Sequence, residues 1–115
     1  MSQEFESVRG QWLQGVRRDR SLTPAHRLVL IELGEAWSPD PDWRPPMIDV
    51  LVFQLGVSRK SVAGALQAAD GVWLRRERRC SPTRTGAYWV WEYWPIPLKQ
   101  DRNLLPNLLN TGGST

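Results

Sequence analysis

Residues 48–69 read IDVLVFQLGVSRKSVAGALQAA, and this pattern predicts two short helices joined by a tight turn. In the first helix, Leu51, Val52 and Leu55 lie on one apolar face. Gly56 can adopt the positive φ at which helices commonly end, and Ser58 can accept a hydrogen bond from the first free amides of the next helix. The second helix directs small and apolar side chains inward at helical spacing: Val62, Ala65, Leu66 and Ala69.

The outward face of the second helix holds most of the candidate binding residues. Its first turn carries two cations, although the helix dipole disfavours positive charge at that end. This placement favours a polyanion as the neighbour of the helix. Gln67 is the one amide on this face that can bind adenine through two hydrogen bonds. The candidates are Ser58, Arg59, Lys60, Ser61, Gly64 and Gln67.

A basic β-hairpin is predicted to follow, with a strand from Val72, a turn over residues 80–86 and a return strand to Trp94. Seven cations and two anions lie between residues 58 and 84, so this segment has a net charge of +5. Because the net charge of the whole chain is +3, the remaining residues sum to −2. Clustered positive charge is typical of a phosphate-binding surface. Strand alternation prevents all the hairpin arginines from facing one side, and we expect three of them to face the ligand: Arg76, Arg78 and Arg84.

The return strand is unusually aromatic, and its alternation defines two faces. One face holds Tyr88, Val90, Glu92 and Trp94. The other face holds Trp89, Trp91 and Tyr93. We expect one face to cover the helices, whereas the other is apolar enough to indicate a further partner.

Two helices are predicted before residue 48. Residues 3–18 form an amphipathic helix whose apolar face needs a cover, either from its own domain or from a second copy of the chain. We expect a homodimer, and the residues predicted to form its contact are Phe5, Val8, Trp12 and Val16. Thr23 and Pro24 start the next helix as its cap and first residue, with Leu28 and Ile31 directed inward.

The segment LGVSRKSV, residues 55–62, resembles the turn and the start of the recognition helix in helix-turn-helix DNA-binding proteins. The wider run from Ser21 to about Trp94 resembles the winged helix-turn-helix domain of phage and plasmid replication or regulatory proteins. In that family a first helix, a loop with proline, the helix-turn-helix and a basic hairpin follow in this order. The resemblance implies a mainly α fold with a small antiparallel β-hairpin. It also implies a recognition helix over 58–69 in the major groove and a wing over 75–86 on the DNA backbone or in the minor groove.

The chain is therefore expected to divide into an N-terminal helix (1–20), a winged helix-turn-helix domain (21–97) and a tail (98–115). The leucines of the tail, within 104–109, either dock on the exposed aromatic face or stay disordered. No apolar run is long enough for a membrane span, and the single Cys80 fits a reducing cytoplasm. We expect no enzymatic activity, metal, cofactor or small-molecule ligand, because no phosphate loop, nucleophile motif or metal-ligand spacing is present.

The predicted function is double-stranded DNA binding, by a transcriptional regulator or replication-associated factor of a phage, plasmid or bacterium. The alternative is a protein–protein interaction module that uses a winged-helix scaffold and contacts its partner through the tryptophan-rich strand. The clustered charge favours DNA binding. Few side chains on the recognition helix carry base information, so a dimer reading two half-sites would add to its specificity.

Overall fold

The computed structural model describes residues 3–97, which form four helices followed by a two-stranded antiparallel sheet. The helices are α1 (Gln3–Arg18), α2 (Pro24–Ala36), α3 (Ile48–Leu55) and α4 (Arg59–Ala69). The strands are β1 (Leu74–Thr83) and β2 (Gly86–Pro95). This arrangement confirms the predicted class, mainly α with a small antiparallel hairpin. The predicted tail over 98–115 lies outside the described residues.

The helix ends follow the local sequence signals. The Thr23 hydroxyl accepts a hydrogen bond of 3.1 Å from the His26 amide at the start of α2, where Pro24 is the first helical residue. The Ser58 hydroxyl caps α4 in the same way through the Ser61 amide at 3.0 Å. Gly56 has a φ of 67°, the left-handed conformation that glycine adopts without steric cost. The predicted helix–turn–helix boundaries are therefore confirmed.

The core lies between α1, α2 and α4, and α3 adds Leu51 to it. The inward face predicted for α4 is fully confirmed by its buried residues. In α2 the buried side chains are Val29, Leu30 and Leu33. Leu28 is instead 47% exposed, so its predicted inward position was wrong. The sequence around it is almost continuously apolar, and several helix faces satisfied the same periodicity.

The inner face of α1 packs on its own domain. Trp12 and Val16 are completely buried, and the Trp12 indole N–H donates a hydrogen bond of 3.0 Å to the carbonyl of Trp73. The Trp12 ring also meets Trp73 edge-on at 6.0 Å. A side chain buried inside its own chain cannot contact a second copy, so Trp12 and Val16 are removed from the predicted dimer contact. Phe5 and Val8 remain half-buried.

The two strands of the hairpin are longer than predicted, and the first of them starts later. Val72 and Trp73 belong to a turn after α4, because the Trp73 amide still bonds the carbonyl of Ala69 at 2.9 Å. The strand therefore begins at Leu74, not at Val72. The two strands pair without interruption from Leu74 opposite Pro95 to Thr83 opposite Gly86. Only residues 84–85 form the connecting turn, in place of the predicted turn over 80–86.

No helix within residues 3–97 is both long enough and apolar enough to cross a membrane.

Candidate nucleic-acid interface

The start of α4 presents its charged and polar side chains to solvent. Arg59, Lys60 and Gln67 are exposed, as predicted for the outward face. Arg59 pairs with the carboxylate of Asp49, which lies on α3. This ion pair is exposed on both sides, so it contributes little to stability and its guanidinium can exchange partners. The outward face of α4 can therefore supply two positive charges from its first turn and the side-chain amide of Gln67 from its last turns to a ligand.

Ser58 has the capping role predicted for it, and Ser61 shares in the same cap. The Ser58 hydroxyl accepts the Ser61 amide, and the two hydroxyls lie 3.0 Å apart in a second hydrogen bond. Both side chains are thus used to cap α4. Their remaining hydrogen-bonding capacity can still reach a phosphate, since a hydroxyl has one donor and two acceptor positions.

Gly64 does not leave open space on the outward face. A Cβ at this position would lie 3.2 Å from Nε2 of His26, so the imidazole of α2 already covers the glycine. Gly64 was predicted as a candidate on the outward face of α4, and His26 covers it there. The glycine instead allows close contact between α4 and the first turn of α2, and it places His26 at the edge of the candidate surface.

Pairing in the hairpin decides which arginines share a face with which aromatic rings. Arg76 lies opposite Tyr93, and Arg78 lies opposite Trp91. Directly opposed residues of an antiparallel pair project to the same side, so both arginines lie on the face of Trp91 and its neighbour Trp89. We call this surface the Trp–Arg face and define it by Arg76, Arg78, Trp89 and Trp91.

The arginines of the Trp–Arg face stack on its indole rings. The Arg76 guanidinium lies 4.2 Å from the ring centroid of Trp91. The Arg78 guanidinium lies 4.6 Å from the ring of Trp89 and 5.8 Å from that of Trp91. Trp89 is nevertheless 61% exposed and Trp91 46% exposed. A guanidinium that stacks through its flat side keeps the N–H groups at its edges available for phosphate oxygens.

Near Glu92 and Trp94, the opposite face of the hairpin packs against the proline-rich loop between α2 and α3. Glu92 is only 6% exposed, and its carboxylate accepts a hydrogen bond of 2.6 Å from Arg79 and lies 3.5 Å from Arg44 of the loop. Trp43 meets Trp94 edge-on at 5.6 Å. The loop contacts this face, whereas Tyr93 of the other face packs against the core formed by the helices. Arg79, which the sequence did not place on the ligand side, is indeed held away from the Trp–Arg face.

The first turn of α4 adjoins the Trp–Arg face. Arg59 and Asp49 line one hollow together with Trp91 and Tyr93 of β2. Arg59 of the helix and Arg76 of the hairpin therefore both lie next to Trp91, the first across the hollow and the second over the indole ring. Arg84 is exposed in the two-residue turn at the far end of the hairpin. A ligand that contacts all these groups must follow the whole length of the hairpin.

A second group of arginines lines an open cleft where α1 meets α2. Its members are Arg17, Arg18, Arg20 and Arg27. The Arg27 guanidinium donates to the carbonyls of Asp19 and Leu22, at 3.0 and 3.2 Å, so it closes the connecting turn. Hydrogen bonds from Ser21 and from the Trp73 indole hold the pKa of Asp19 below its usual range. These hydrogen bonds stabilise the turn between α1 and α2, and this is the main role that we assign to the polar groups of the cleft.

Sequence reasoning missed three contributors to the candidate surface and its support. No role was predicted for Arg44 or for His26, and the tryptophans were not connected with the arginines that stack on them. The third link depends on strand register. Once the turn is fixed at residues 84–85, the pairing of Arg78 with Trp91 follows by counting along both strands.

Comparisons with protein-family models, with curated proteins and with solved structures found no match for this chain.

Proposed function

We propose that this chain is a double-stranded DNA-binding protein of the winged helix-turn-helix type. In this proposal α4 enters the major groove, and the hairpin acts as a wing on the DNA backbone or in the minor groove. The protein then serves as a transcriptional regulator or replication-associated factor of a phage, plasmid or bacterium.

The observation that carries the proposal is the junction of two cationic surfaces. Arg59 at the start of α4 and Trp91 on the hairpin line the same hollow, and Arg76 and Arg78 continue the positive charge along the hairpin. An α-helix fits the width of the major groove, and a basic hairpin beside it can reach the adjoining phosphates. The order of α2, α3, α4 and hairpin also agrees with the family that the sequence resembles.

Each group has a distinct expected role. Lys60 and Gln67 are the exposed side chains of α4 that can reach base edges, Gln67 through a pair of hydrogen bonds to adenine. Arg76, Arg78 and Arg84 contact phosphate and carry little sequence information. Specific recognition thus depends on few side chains per chain. This limitation favours the predicted homodimer, since two copies read two half-sites.

The dimer contact, however, needs another surface than the inner face of α1. Among the large apolar side chains of residues 3–97, Phe53 has the highest exposed fraction, 88%, and it forms a row with Val50 of α3 and with Met47, which caps that helix. Residues spaced by three lie close to one another on a helix. We place the homodimer contact on this α3 row. The alternative function, a protein–protein interaction module, would contact its partner through the tryptophan-rich strand instead.

The direct test is equilibrium binding to duplex DNA across a series of salt concentrations, measured by fluorescence anisotropy. If about 4–6 phosphates are contacted, the logarithm of the association constant should fall with the logarithm of salt at a slope of roughly −4 to −5. Arg78→Ala should weaken binding to every sequence and reduce the magnitude of the slope by about one. The interaction module predicts no salt-sensitive binding at all.

Arg75→Ala is the matched control for this experiment. Arg75 is also an exposed arginine of β1, but it pairs with Glu77 and lies over Trp94 on the opposite face. Its removal should change the slope much less than removal of Arg78. Equal effects of the two substitutions would show that the hairpin attracts DNA only through its general charge, and the assigned face would then be wrong.

A further inference from the structure

The exposed tryptophans of the hairpin gain little from an intact duplex. Base pairs inside a helix present their edges in the grooves, while their flat faces are covered by the neighbouring pairs. Indole rings interact with other rings mainly through stacked or edge-to-face contacts. Trp89 and Trp91, at 61% and 46% exposure, therefore suit a ligand whose aromatic faces are free. Unpaired bases are such a ligand.

The spacing of the two rings agrees with stacking. Trp89 and Trp91 are two residues apart on one strand, which separates them by about 6.7 Å along β2. Successive bases in a stacked strand are about 3.4 Å apart. The distance between the two tryptophan positions is therefore about twice the distance between stacked bases, which corresponds to one planar group placed between two rings. The guanidinium of Arg78, itself a planar group, lies 4.6 Å from the ring centroid of Trp89 and 5.8 Å from that of Trp91.

Charge on the same face suits the phosphates of an unpaired strand. Arg78 has no carboxylate partner within residues 3–97, and Arg76 lies 3.3 Å from the exposed carboxylate of Asp70. Both guanidinium groups lie over the indoles, and the N–H groups of Arg78, together with those of Arg76 that do not face Asp70, can donate to a ligand. A protein partner with an apolar surface would have to bury these two charges, which is costly unless it pairs them. The arginines thus favour nucleic acid over protein on this face.

The Trp–Arg face is also held in place before any ligand arrives. On the other side of the same strands, Glu92 is bound by Arg79 and Arg44, and Trp94 packs against Trp43. These contacts fix the hairpin against the loop between α2 and α3. A ligand therefore does not have to order the strand pair in order to stack on it, which reduces the entropic cost of binding.

We propose that the Trp–Arg face binds the unpaired bases of a single-stranded segment that adjoins the duplex held by α4. The inference rests on the proposed DNA-binding function and names its substrate more closely, as a junction of duplex and single strand. Bases stack on Trp89 and Trp91, and the phosphates between them contact Arg76 and Arg78. Aromatic platforms combined with basic side chains are typical of proteins that bind single strands without sequence preference.

The test compares two labelled probes in the same buffer: a blunt duplex, and the same duplex extended by a run of unpaired thymidines. The wild-type chain should bind the extended probe about 10-fold more tightly than the blunt one. Trp89→Leu combined with Trp91→Leu keeps apolar bulk but removes the flat rings, and it should abolish most of this preference. Trp89→Phe combined with Trp91→Phe keeps aromatic faces and should retain most of it.

Tyr88→Leu is the matched control, because Tyr88 is also an exposed aromatic residue of β2 but faces the other side of the hairpin. This variant should keep the preference for the extended probe. Circular dichroism melts of all variants verify that the hairpin still folds, which is expected because the replaced rings are largely exposed.

The outcomes separate the inference from the function on which it rests. Equal wild-type affinity for the two probes would overturn the inference and leave duplex binding intact. A preference that survives in the double leucine variant would also overturn it, since the rings would then not be its source. Binding of the extended probe without measurable binding of the blunt one would refute duplex recognition while supporting the single-strand site. If neither probe binds and the leucine variant loses self-association instead, the face is a protein interface and the inference is wrong.

Discussion

Gly34 shows how one missing side chain can determine the packing of two helices. A Cβ at this position would lie 2.5 Å from the ring of Trp12, far inside van der Waals contact. Because the Trp12 ring is completely buried and bonded to the Trp73 carbonyl, it has no free direction in which to move. We expect Gly34→Ala to lower the free energy of unfolding by about 1–3 kcal/mol, as measured by urea denaturation.

Gly10→Ala is the matched control for that substitution. Gly10 lies within α1, and a Cβ there would meet no atom within 4 Å. Alanine should therefore stabilise the protein by about 0.5–1 kcal/mol, because it removes the entropic cost of glycine in a helix. If both alanine variants were stabilised alike, the close approach of Trp12 to Gly34 would be incorrect.

Asp19 gives the fold a predictable dependence on pH. Its pKa is lowered first by the Ser21 hydroxyl, then by the Trp73 indole, while partial burial opposes them. A carboxyl whose pKa is lower in the folded state stabilises the protein above its unfolded value, about 3.9, and this contribution is lost as the pH falls through the lower folded value. We expect Asp19→Asn to remove part of the stability loss that the wild type shows between about pH 5 and pH 2. Urea midpoints at several pH values would measure it, and parallel curves for the two proteins would contradict it.

At the scale of residues, the sequence predicted contacts that are local and missed those that depend on distant partners. The caps at Thr23 and Ser58 were predictable because each involves an amide three residues away. The position of Trp12 was ambiguous, because an apolar helix face looks the same whether its own domain or a second chain covers it. The contact between Gly64 and His26 could not be foreseen, since it depends on how α2 crosses α4.

At the scale of elements, the attachment of the hairpin to the rest of the fold depends on Glu92. Its nearly buried carboxylate lies between Arg79 of β1 and Arg44 of the loop. Glu92→Gln keeps the shape but removes the charge on which both arginines depend. We expect a loss of about 1–3 kcal/mol in the free energy of unfolding, the usual range for a hydrogen bond to a charged group.

Glu77→Gln is the corresponding control on the same hairpin. Glu77 pairs with Arg75, but both side chains are about half exposed, so the loss should stay below about 1 kcal/mol. Thermal melts followed by circular dichroism would compare the two variants. A larger effect at Glu77 than at Glu92 would show that the loop does not support the hairpin.

The elements themselves were largely predictable, whereas their register was not. The helix boundaries of α3 and α4 followed from apolar periodicity, Gly56 and Ser58. The hairpin turn was placed within a seven-residue stretch, and a shift of one residue in register moves every side chain to the other face. For that reason the sequence identified Arg76 and Arg78 as candidates but could not show that they stack on Trp89 and Trp91.

At the scale of the whole molecule, the charge distribution was partly predictable. The excess of arginine between residues 58 and 84 was evident from the sequence alone. The remaining chain has a negative total, yet the fold still gathers four arginines at the joint between α1 and α2. Folding brings together charges that are distant in sequence. The net charge of a sequence segment therefore does not describe the charge of a surface patch.

The exposed row on α3 predicts that two whole molecules associate. Phe53 is 88% exposed, and an aromatic ring left in water loses the favourable free energy of burial that an interface would provide. We expect light scattering at micromolar concentration to give the mass of two chains of 13.2 kDa each. Phe53→Asp should give the mass of one chain, because a carboxylate at an apolar interface would have to lose its hydration.

Val8→Glu, on the half-buried outer part of α1, should leave the dimer intact. Dissociation by Val8→Glu but not by Phe53→Asp would return the contact to the N-terminal helix, and a monomeric wild type would exclude the dimer under these conditions.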